Sequence, residues 1–515
     1  MNETMDVKAG MSRSEAAFWF WSVVLVFVGL WILLPCLFHP GYKWGVVELQ
    51  FIGKEWVLAD RKHPMLPAWL LETINIFTGR AFAAPFIASA LCTVLTLLAV
   101  WRLARQVLSE RLALIGTFVM LPFWAISVDS TKYNQNSVQL ACWTLTIGMF
   151  YNAFQTNKKR WWLAAGLALG LGFHAKYTTI FLAVAILLYS LWIPRFRRYW
   201  KESGPWMTLF IAFAVFLPHL IWLYQTGMAS TTDYALRQTV HRTGLSEGII
   251  SYFRYPLQWF VHEFALILIS PLVLLIPCLG RKWKIRSPQS EIEKETLQYL
   301  LCCIAFPFLV FTLFTMSGTW ISGDYGYTLY FFLGIYLLLR FQHQDSLNVF
   351  RRSCRWVSLA VLGTVVFFVV YSVYSPYLLG TPRSFHFPMR ELGAEGDRIW
   401  SSHFDVPCPY TSGDWYYAGT AGCTMKDRPS VHFYYNTIAD PEALPTGTWS
   451  TDEGVNQKGG IIFWKATDQT APDWLHRRFP RAEVVPEILE LPYSTGAKIP
   501  PLRIGVALIP PAPIP

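Results

Sequence analysis

Eleven long apolar runs in the first 375 residues constrain the fold of this chain more than any other feature. They begin at Phe18, Phe82, Leu112, Val138, Trp161, Thr178, Pro205, Tyr255, Leu297, Tyr327 and Val357. A helix needs about 20 apolar residues to cross a bilayer, and most of these runs reach or approach that length. The pattern therefore predicts a polytopic α-helical membrane protein with about 11 to 13 spans.

Composition agrees with this class. Of the 515 residues, 53% are hydrophobic and 15% are charged, whereas soluble domains carry about 25% charged residues. The first apolar run lacks a small-residue cleavage site, so we interpret it as an anchor rather than a cleaved signal peptide.

Basic residues predict the orientation. Clusters such as 158–160 and 195–201 lie in alternate loops, and short basic loops stay in the cytoplasm. With eleven spans, the tail after Tyr374 then faces outward. Topology and contact with anionic lipid explain the net charge of +10, so we expect no nucleic-acid partner.

The tail differs in composition from the rest of the chain. We divide the protein into a membrane domain, 1–375, and a soluble domain, 376–515, which is richer in Gly, Pro, Asp and aromatic residues. Alternating or short apolar segments predict strands at DRIWSSHF, WYYAG, SVHFYYN, GGIIFWKA, LELPY and IGVALI. DPEALP and DWLHRRFP predict brief helices, which makes the tail a small α/β domain.

The cysteines carry one structural prediction. Cys408 and Cys423 lie in the outward tail, where oxidation is permitted, so they are predicted to form a disulfide. Most other cysteines lie in or beside spans, as small buried hydrophobic residues do. No Cys/His cluster indicates a metal site, and a divalent ion at a phosphate site is left open.

Two glutamates stand out in the first outward loop, 38–80. Apolar residues recur at helical spacing over 46–58, which predicts an amphipathic helix along the membrane surface. Glu48 and Glu55 would share one face of that helix, as a base and a substrate contact. The alternative is that both carboxylates only solvate the polar side of the helix.

Lys-Tyr pairs occur at the outward ends of two spans. Asp129 precedes Lys132 and Tyr133, and HAKYT contains Lys176 and Tyr177. Ionisable groups at such positions usually face a cavity or a polar ligand, although lysines at span ends also snorkel to the headgroups.

The first outward loop adds Lys62 and His63 within RKHP. Three outward loops with similar cationic content favour a shared anionic ligand, namely a lipid phosphate. For His63 the alternative is a packing role beside Pro64.

Two further outward loops hold weaker signals. Arg237, His241 and Arg242 recur at near-helical spacing, which predicts a helix that closes over the ligand or a merely solvated one. Asp324 and Trp320 lie in SGTWISGDYGY, where the tryptophan suits either a sugar face or the interfacial belt.

The order of the motifs resembles a known family. ELQFIGKEWVLADRKHPMLPAWL, STKYNQNSVQLACWTL and WWLAAGLALGLGFHAKYT are followed in the tail by FYYNTIADPEALPTGTW and GGIIFWKA. This arrangement resembles bacterial membrane glycosyltransferases of the GT-C class, in the protein-O-mannosyltransferase-like branch that also contains the lipid A aminoarabinose transferase. The resemblance is strongest from Trp44 to Ile193.

The resemblance implies an inner-membrane enzyme with its catalytic loop and soluble domain on the periplasmic face. Its implied donor is a polyprenyl-phosphate sugar, and its acceptor is a glycan, a glycolipid or a protein. Transfer would invert the anomeric carbon, because the phosphate leaves opposite the attacking hydroxyl. The rival interpretation is a flippase, or a non-catalytic binder, of a lipid-linked sugar.

The chain departs from the family at the catalytic base. Relatives commonly carry an Asp-Glu pair in this loop, and an ungapped count back from Trp69 reaches Gly45 and Val46 instead. Glu48 is the nearest carboxylate, so we predict it as the base, with Asp129 as the second candidate or as its partner. The side chains expected to contact phosphate or sugar are Glu55, Lys62, His63, Lys132, Tyr133, Lys176, Tyr177, Arg237, Arg242 and Asp324.

Overall fold

The computed structural model describes residues 11–60, 63–226, 248–274, 284–341, 345–434, 438, 447, 449–466, 471–495 and 498–511. The chain forms two compact units. The helical unit contains Met1–Leu33 and Phe86–Phe367, and the mixed unit contains Leu34–Pro85 and Phe368–Pro515. The first outward loop therefore groups with the tail, while the division predicted at residue 375 stays a prediction.

Each of the eleven apolar runs contains a helix. In chain order the helices up to the tail are α1 (Arg13–Phe38), α2 (Trp44–Lys54), α3 (Leu66–Phe77), α4 (Ala84–Val107), α5 (Glu110–Phe118), α6 (Gln135–Thr156), α7 (Lys159–Ala175), α8 (Thr179–Trp192), α9 (Pro194–Arg197), α10 (Ser203–Gln225), α11 (Ser251–Leu274), α12 (Glu291–Met316), α13 (Leu333–Arg340) and α14 (Leu347–Leu379). Short 3-10 helices span Val128–Thr131, Arg198–Lys201, Gly248–Ile250, Gly323–Thr328 and Ser384–His386.

Within the described residues, five helices are long and apolar enough to cross a membrane: α1, α4, α10, α12 and α14. A sixth is counted if α8 and the segment 194–201, which bend by 98° at their junction, form one broken span. The larger span count remains a prediction.

Polar positions explain why some of the other runs miss this criterion. In α6 the hydroxyl groups of Thr144 and Thr146 donate hydrogen bonds to the carbonyl oxygens of Leu140 and Cys142, at 3.0 and 2.7 Å. Such bonds satisfy a hydroxyl within its own helix, so polar residues are accommodated in a buried helix.

Small residues allow α7 and α10 to pack closely. A Cβ atom on Gly166 would lie 2.7 Å from the Thr208 carbonyl oxygen, and one on Gly170 would lie 2.8 Å from Val215 Cβ. Glycines four residues apart are a common helix-packing device in membranes. This contact positions α7, and Lys176 directly follows the last residue of that helix.

The mixed unit contains a six-stranded mixed sheet. Its strands are β1 (Tyr410–Gly413), β2 (Ser430–Val431), β3 (Gly460–Lys465), β4 (Glu483–Val484), β5 (Leu489–Leu491) and β6 (Leu502–Ile509). The order is β2-β1-β3-β6-β4, and β5 also pairs with β6. β1 is parallel to β2 and β3, whereas β6 is antiparallel to its neighbours, with Ile462 opposite Ala507.

In the described part of the tail, four helices accompany the sheet: α15 (Met389–His403), α16 (Trp415–Thr424), α17 (Asp452–Lys458) and α18 (Trp474–Arg478). The predictions of strands at DRIWSSHF and WYYAG are wrong, because these segments lie in α15 and α16. Along α15 the buried residues Leu392, Gly396 and Ile399 recur at helical spacing. α16 begins after Asp414, whose carboxylate accepts a hydrogen bond from the Tyr416 amide at 3.1 Å.

The predicted disulfide is also wrong, because Cys408 and Cys423 are both free thiols. The Cys408 sulfur contacts the Tyr410 carbonyl oxygen at 3.4 Å, and the Cys423 sulfur contacts the Val47 carbonyl oxygen at 3.8 Å. Each thiol thus faces a different part of the unit. Burial raises the pKa of both thiols to about 12, which keeps them in the unreactive protonated form.

Candidate functional site

Charged and polar side chains from four segments of the helical unit converge at one set of loop ends. We call this group the loop cluster, and its members are Asp129, Lys132, Asn136, Lys176, Asp324, Tyr325 and Tyr327. Sequence reasoning selected four of them as site residues: Asp129, Lys132, Lys176 and Asp324. They come from positions far apart in the chain and meet because α6 packs against α7 and against the segment Gly323–Thr328.

An ion pair forms the centre of the loop cluster. The Lys132 ammonium lies 2.9 Å from the Asp324 carboxylate, and both side chains are partly exposed. Asp129 accepts a hydrogen bond from the Tyr327 hydroxyl at 3.2 Å. One ammonium thus lies beside two carboxylates, and a phenol donor orients one of them.

Electrostatics keep this pair charged. Burial alone would raise the pKa of the Asp324 carboxyl, but Lys132, with Lys176 and His262 contributing less, holds it below its usual value. Burial alone would lower the pKa of Lys132, but Asp129 and Asp324 hold it above its usual value. Both groups are therefore ionised at neutral pH.

Lys176 is the second cation of the loop cluster. Its ammonium donates a hydrogen bond to the Asn136 amide oxygen at 2.7 Å, and it lies 3.5 Å from the centre of the Tyr325 ring. A cation over an aromatic face is stabilised by the ring quadrupole. Lys176 is buried, so the contacts with Asn136 and Tyr325 partly replace the water that it has lost.

Local sequence explains the shape of this turn. The Asn134 side chain accepts from the Asn136 amide at 2.9 Å, while the Ser137 hydroxyl accepts from the Asn134 amide at 3.3 Å. This capping box starts α6. The two asparagines of TKYNQNS therefore divide two tasks: Asn134 begins the helix, and Asn136 binds Lys176.

Close contacts fix the segment Gly323–Thr328. A Cβ atom on Gly323 would lie 2.2 Å from the His262 ring, and one on Gly326 would lie 1.8 Å from the Glu263 carboxylate. Glu263 is held by the Tyr330 hydroxyl at 2.8 Å and by the His262 ring at 3.2 Å. The glycines of SGDYGY thus bring Asp324 and its neighbouring tyrosines against α11.

The two predicted tyrosines lie outside the loop cluster. The hydroxyl of Tyr177 contacts the His219 ring nitrogen at 2.7 Å, and the His174 ring lies 5.9 Å from the His219 ring. Tyr133 has no exposed surface. Contact of either tyrosine with a sugar remains a prediction, and the burial of Tyr133 makes it a core residue in this structure.

The mixed unit holds the predicted carboxylates of the first loop. Glu48 lies on the buried side of α2, with 7% of its surface exposed. Glu55 follows the last residue of α2, and its Oε1 atom is buried without a hydrogen-bond partner in the described part of the chain. The two glutamates therefore lie on different parts of this segment: one inside the helix and one at its end.

His63 belongs to a tight loop. Its amide donates to the Asp60 carboxylate at 2.6 Å, and Ala59 pairs with Pro64 in an antiparallel bridge. Asp60 is a buried carboxylate that sequence reasoning missed, although it directly precedes the RKHP motif. Lys62, Arg237, His241 and Arg242 lie outside the described residues, as does DPEALP.

Sequence reasoning also missed Asn136, Tyr325, Tyr327 and His219. A signal existed for Asn136, Tyr325 and Tyr327, because they lie in motifs already selected for their charged residues. Among the described residues no group of three or more His, Cys, Asp or Glu side chains could hold a metal ion.

Comparisons with known proteins agree with the resemblance. Residues 62–222 match the family model described as dolichyl-phosphate-mannose-protein mannosyltransferase. The chain is 26% identical over 209 residues to the lipopolysaccharide core galacturonosyltransferase of Rhizobium johnstonii, covering 39% of this chain and 40% of that protein.

A second relative is the undecaprenyl phosphate-α-4-amino-4-deoxy-L-arabinose arabinosyl transferase 1 of Pseudomonas fluorescens. It is 22% identical over 317 residues, covering 57% of this chain and 55% of that protein. The matches to these curated relatives thus span about half of their length or less.

The fold has a solved counterpart along the whole chain. ArnT from Cupriavidus metallidurans, bound to undecaprenyl phosphate, superposes with a TM-score of 0.61 at 12% identity, covering 98% of this chain and 100% of that one. At this identity the likeness concerns the fold alone. Together with the family-model match and the two relatives, this likeness makes the chain similar to GT-C membrane glycosyltransferases, and its fold is that of a helical membrane protein.

Proposed function

We propose that this protein transfers a sugar from a polyprenyl-phosphate donor to a glycan or glycolipid of the bacterial cell envelope. The observation that carries the proposal is the convergence of Lys132 and Lys176 beside two carboxylates at the loop ends of the helical unit. Two ammonium groups at one site match the charge of a departing phosphate.

The relatives support the substrate classes. One is named for lipopolysaccharide core as its target and the other for an undecaprenyl phosphate-linked sugar, and the solved ArnT structure holds undecaprenyl phosphate. We infer that this protein likewise uses a lipid-linked sugar donor and an acceptor in the cell envelope.

The reaction requires few groups. The acceptor oxygen forms a bond to the anomeric carbon while the bond from that carbon to the phosphate oxygen breaks, with inversion. The acceptor proton passes to a carboxylate, and the lysines stabilise the negative charge that remains on the polyprenyl phosphate. In the absence of donor, Asp324 acts as the counter-ion of Lys132, and the phosphate takes over that contact on binding.

Two carboxylates remain candidates for the base. Glu48 is the hypothesis that follows from the family pattern, and its buried position requires that the acceptor hydroxyl reach an enclosed group. Asp129 is already oriented by Tyr327 and lies beside Lys132. Contacts of Lys62, His63, Arg237 and Arg242 with the donor, and of Glu55 and Tyr177 with the sugar, belong to the same proposal.

The topology is part of this proposal. We place the N-terminus in the cytoplasm, 11 to 13 spans in the inner membrane, and the domain 376–515 in the periplasm. The loop cluster would then lie at the periplasmic ends of its helices, where both the lipid-linked donor and the envelope acceptor are accessible.

A flippase for a lipid-linked sugar is the second candidate, and the absence of the Asp-Glu pair at Gly45 and Val46 favours it. Flippases need polar groups through the depth of the bilayer and access from both faces. The loop cluster is instead concentrated at one set of helix ends, which favours transfer.

The test is sugar transfer by the purified protein in neutral liposomes, with a panel of polyprenyl-phosphate sugars and lipopolysaccharide core or lipid A acceptors. Lys132→Met and Lys176→Met are expected to lower kcat/KM by about 100-fold each, as the loss of one charge-stabilising donor does. Lys294→Met is the matched control, since this exposed lysine pairs with Glu291 on the surface and lies outside the loop cluster.

The base is tested in the same assay. Loss with Glu48→Gln alone assigns the base to α2, and loss with Asp129→Asn alone assigns it to the loop cluster. If no donor is consumed while labelled lipid exchanges between the two leaflets, the protein is a flippase and the proposal fails.

A further inference from the structure

A polar cavity lies within the mixed unit, and none of its lining residues is a member of the loop cluster. Its volume is about 390 Å³, which is in the range of ligand pockets. Its lining includes Arg80, Phe82, Arg390, Asp397 and Arg428. Three guanidinium groups and one carboxylate therefore line one cavity, an unusual concentration of positive charge.

Arg428 is already neutralised. Its guanidinium pairs with both oxygens of Glu72, at 2.8 and 3.0 Å, and both side chains are buried. The Gln50 carbonyl oxygen accepts a further bond at 3.3 Å. Arg428 thus forms a wall of the cavity and has little capacity left for a ligand.

Arg80 and Arg390 are different. Both are exposed, and within the described residues neither guanidinium forms a hydrogen bond or an ion pair. Arg390 lies 5.5 Å from the centre of the Phe82 ring, and that ring stacks on Tyr42 with centroids 4.7 Å apart. The aromatic pair positions the guanidinium of Arg390 and leaves its N–H groups available.

The backbone at Arg80 points to a requirement for this side chain. Arg80 has φ +63 and directly follows Gly79 with φ +62. Residues with a Cβ atom rarely adopt this left-handed conformation, and glycine or asparagine would adopt it at lower cost. The arginine is held there by its amide, which donates to the Asn75 carbonyl oxygen at 2.7 Å.

We propose that this cavity binds an anionic sugar, one that carries a single phosphate or carboxylate, through Arg80 and Arg390. Planar guanidinium groups bind both kinds of oxyanion with paired hydrogen bonds. The proposal rests on the proposed function in one respect: we assign the sugar to the envelope glycan that serves as acceptor.

Asp397 narrows the ligand to a sugar rather than a bare anion. Its carboxylate lines the same cavity and is held in place by the Lys426 amide at 3.0 and 3.2 Å. A carboxylate repels a second anion but accepts hydrogen bonds from sugar hydroxyl groups. A ligand with one anionic group and several hydroxyl groups therefore fits this lining best.

The test is direct binding, which does not depend on turnover. The full chain in phosphatidylcholine nanodiscs is titrated calorimetrically with N-acetylglucosamine 1-phosphate and galacturonic acid. N-acetylglucosamine, galactose and inorganic phosphate serve as uncharged-sugar and sugar-free probes. We expect the two anionic sugars to bind at least about tenfold more tightly than the other three, since charge-assisted pairs are the stronger ones.

Three variants locate the site. Arg80→Asn removes the charge but retains a residue that tolerates positive φ, and Arg390→Gln removes the other cation. Each is expected to weaken the anionic sugars about tenfold. Arg398→Gln is the control, because this exposed arginine lies on the same helix as Arg390 but pairs with Glu395.

Equal binding of charged and uncharged sugars, or equal binding by all three variants, overturns the proposal. Absence of sugar binding in phosphatidylcholine nanodiscs, together with binding of phosphatidylglycerol that Arg80→Asn and Arg390→Gln weaken, also overturns it and assigns the cavity to lipid headgroups. In a transfer assay with an anionic acceptor, the two variants are expected to raise KM for the acceptor and leave kcat unchanged. Failure of the proposed function would instead appear as absent turnover with sugar binding intact.

Discussion

At the scale of the residue, the Glu72–Arg428 pair shows how the mixed unit uses a buried charge. The pair is bidentate, and Glu72 also accepts a hydrogen bond from the Asn75 amide at 3.1 Å. Burial would raise the pKa of Glu72, but Arg428 and Asn75 hold it below its usual value. Each partner is therefore charged, and the removal of one leaves the other charged in an enclosed place.

We expect Glu72→Gln to lower the free energy of unfolding by about 3–5 kcal/mol, the usual cost of an unpaired buried charge. The measurement is thermal unfolding in detergent, followed by tryptophan fluorescence. Glu395→Gln is the control, because it removes the partner of the exposed Arg398 and should leave Tm unchanged. Equal effects of the two substitutions would contradict the assignment.

Asp324 allows a prediction about pH. Its folded-state pKa is held below the ordinary value of 3.8, so its pairing with Lys132 contributes stability above that value and loses it as pH falls through the folded-state pKa. We expect the Tm difference between the native chain and Asp324→Asn to be constant from about pH 5 to 7 and to shrink below about pH 4. A difference that changes between pH 5 and 7 would show that the pKa is raised instead.

Much of the candidate site could be predicted from the charged residues in the loops. Lys132, Lys176, Asp129 and Asp324 were selected from their charge at predicted span ends, and the structure brings them together. The partners of these groups could not be selected in the same way. Two asparagines lie close together in this turn, and the capping box at the start of α6 determines which of them faces Lys176. Asn134 forms the cap, so Asn136 contacts Lys176.

At the scale of the element, the segment Gly323–Thr328 depends on two positions without a side chain. Glu263 cannot move away from a new Cβ atom on Gly326 without breaking its bonds to Tyr330 and His262. A substitution there must displace the segment that carries Asp324. The geometry of the loop cluster thus depends on α11, which contributes no member to it.

We therefore expect Gly326→Ala to lower transfer activity by at least about tenfold, because misplacement by about 1 Å costs that much or more. Gly363→Ala is the matched control. Gly363 lies inside α14 with open space around its Cβ position, so alanine should be neutral or slightly stabilising there. The double substitution Gly326→Ala/Glu263→Ala removes the collision, and recovery of Tm in it would identify the collision as the cause. Full activity of Gly326→Ala alone would refute this account.

Secondary structure in the tail was predicted best where the signal is local. The strands at 460–465 and 502–509 are short apolar runs bounded by turn residues, and both were predicted. α15 and α16 were assigned to the wrong class, because their aromatic residues favour strands locally while burial at helical spacing decides the outcome. A short stretch of sequence shows the strand preference of the aromatic residues but not the burial at helical spacing.

At the scale of the whole molecule, the two ends of the helical unit have different sets of polar contacts. Lys176 and Asn136 meet at one end. At the other, the Asn157 amide donates to Glu202 at 2.8 Å, and Arg195 lies 3.1 Å from Glu295. The basic clusters therefore share an end with each other and not with the loop cluster, which is the arrangement that positive residues on the cytoplasmic side require.

This separation leads to a prediction about topology that does not depend on catalysis. If the basic end is cytoplasmic and the number of spans is odd, alkaline phosphatase fused after Pro515 or Gln225 is active, because that enzyme needs the oxidising periplasm to form its disulfides. A fusion after Lys201 is inactive, and green fluorescent protein at the same three positions gives the reverse pattern. The Lys201 fusions are the internal control, since their cluster of arginines and lysines fixes them inside. Fluorescence from the fusion after Pro515, with Gln225 still outside, would mean that the number of spans is even and that the tail lies in the cytoplasm. The sugar cavity in the same unit would then lie where no envelope acceptor is present.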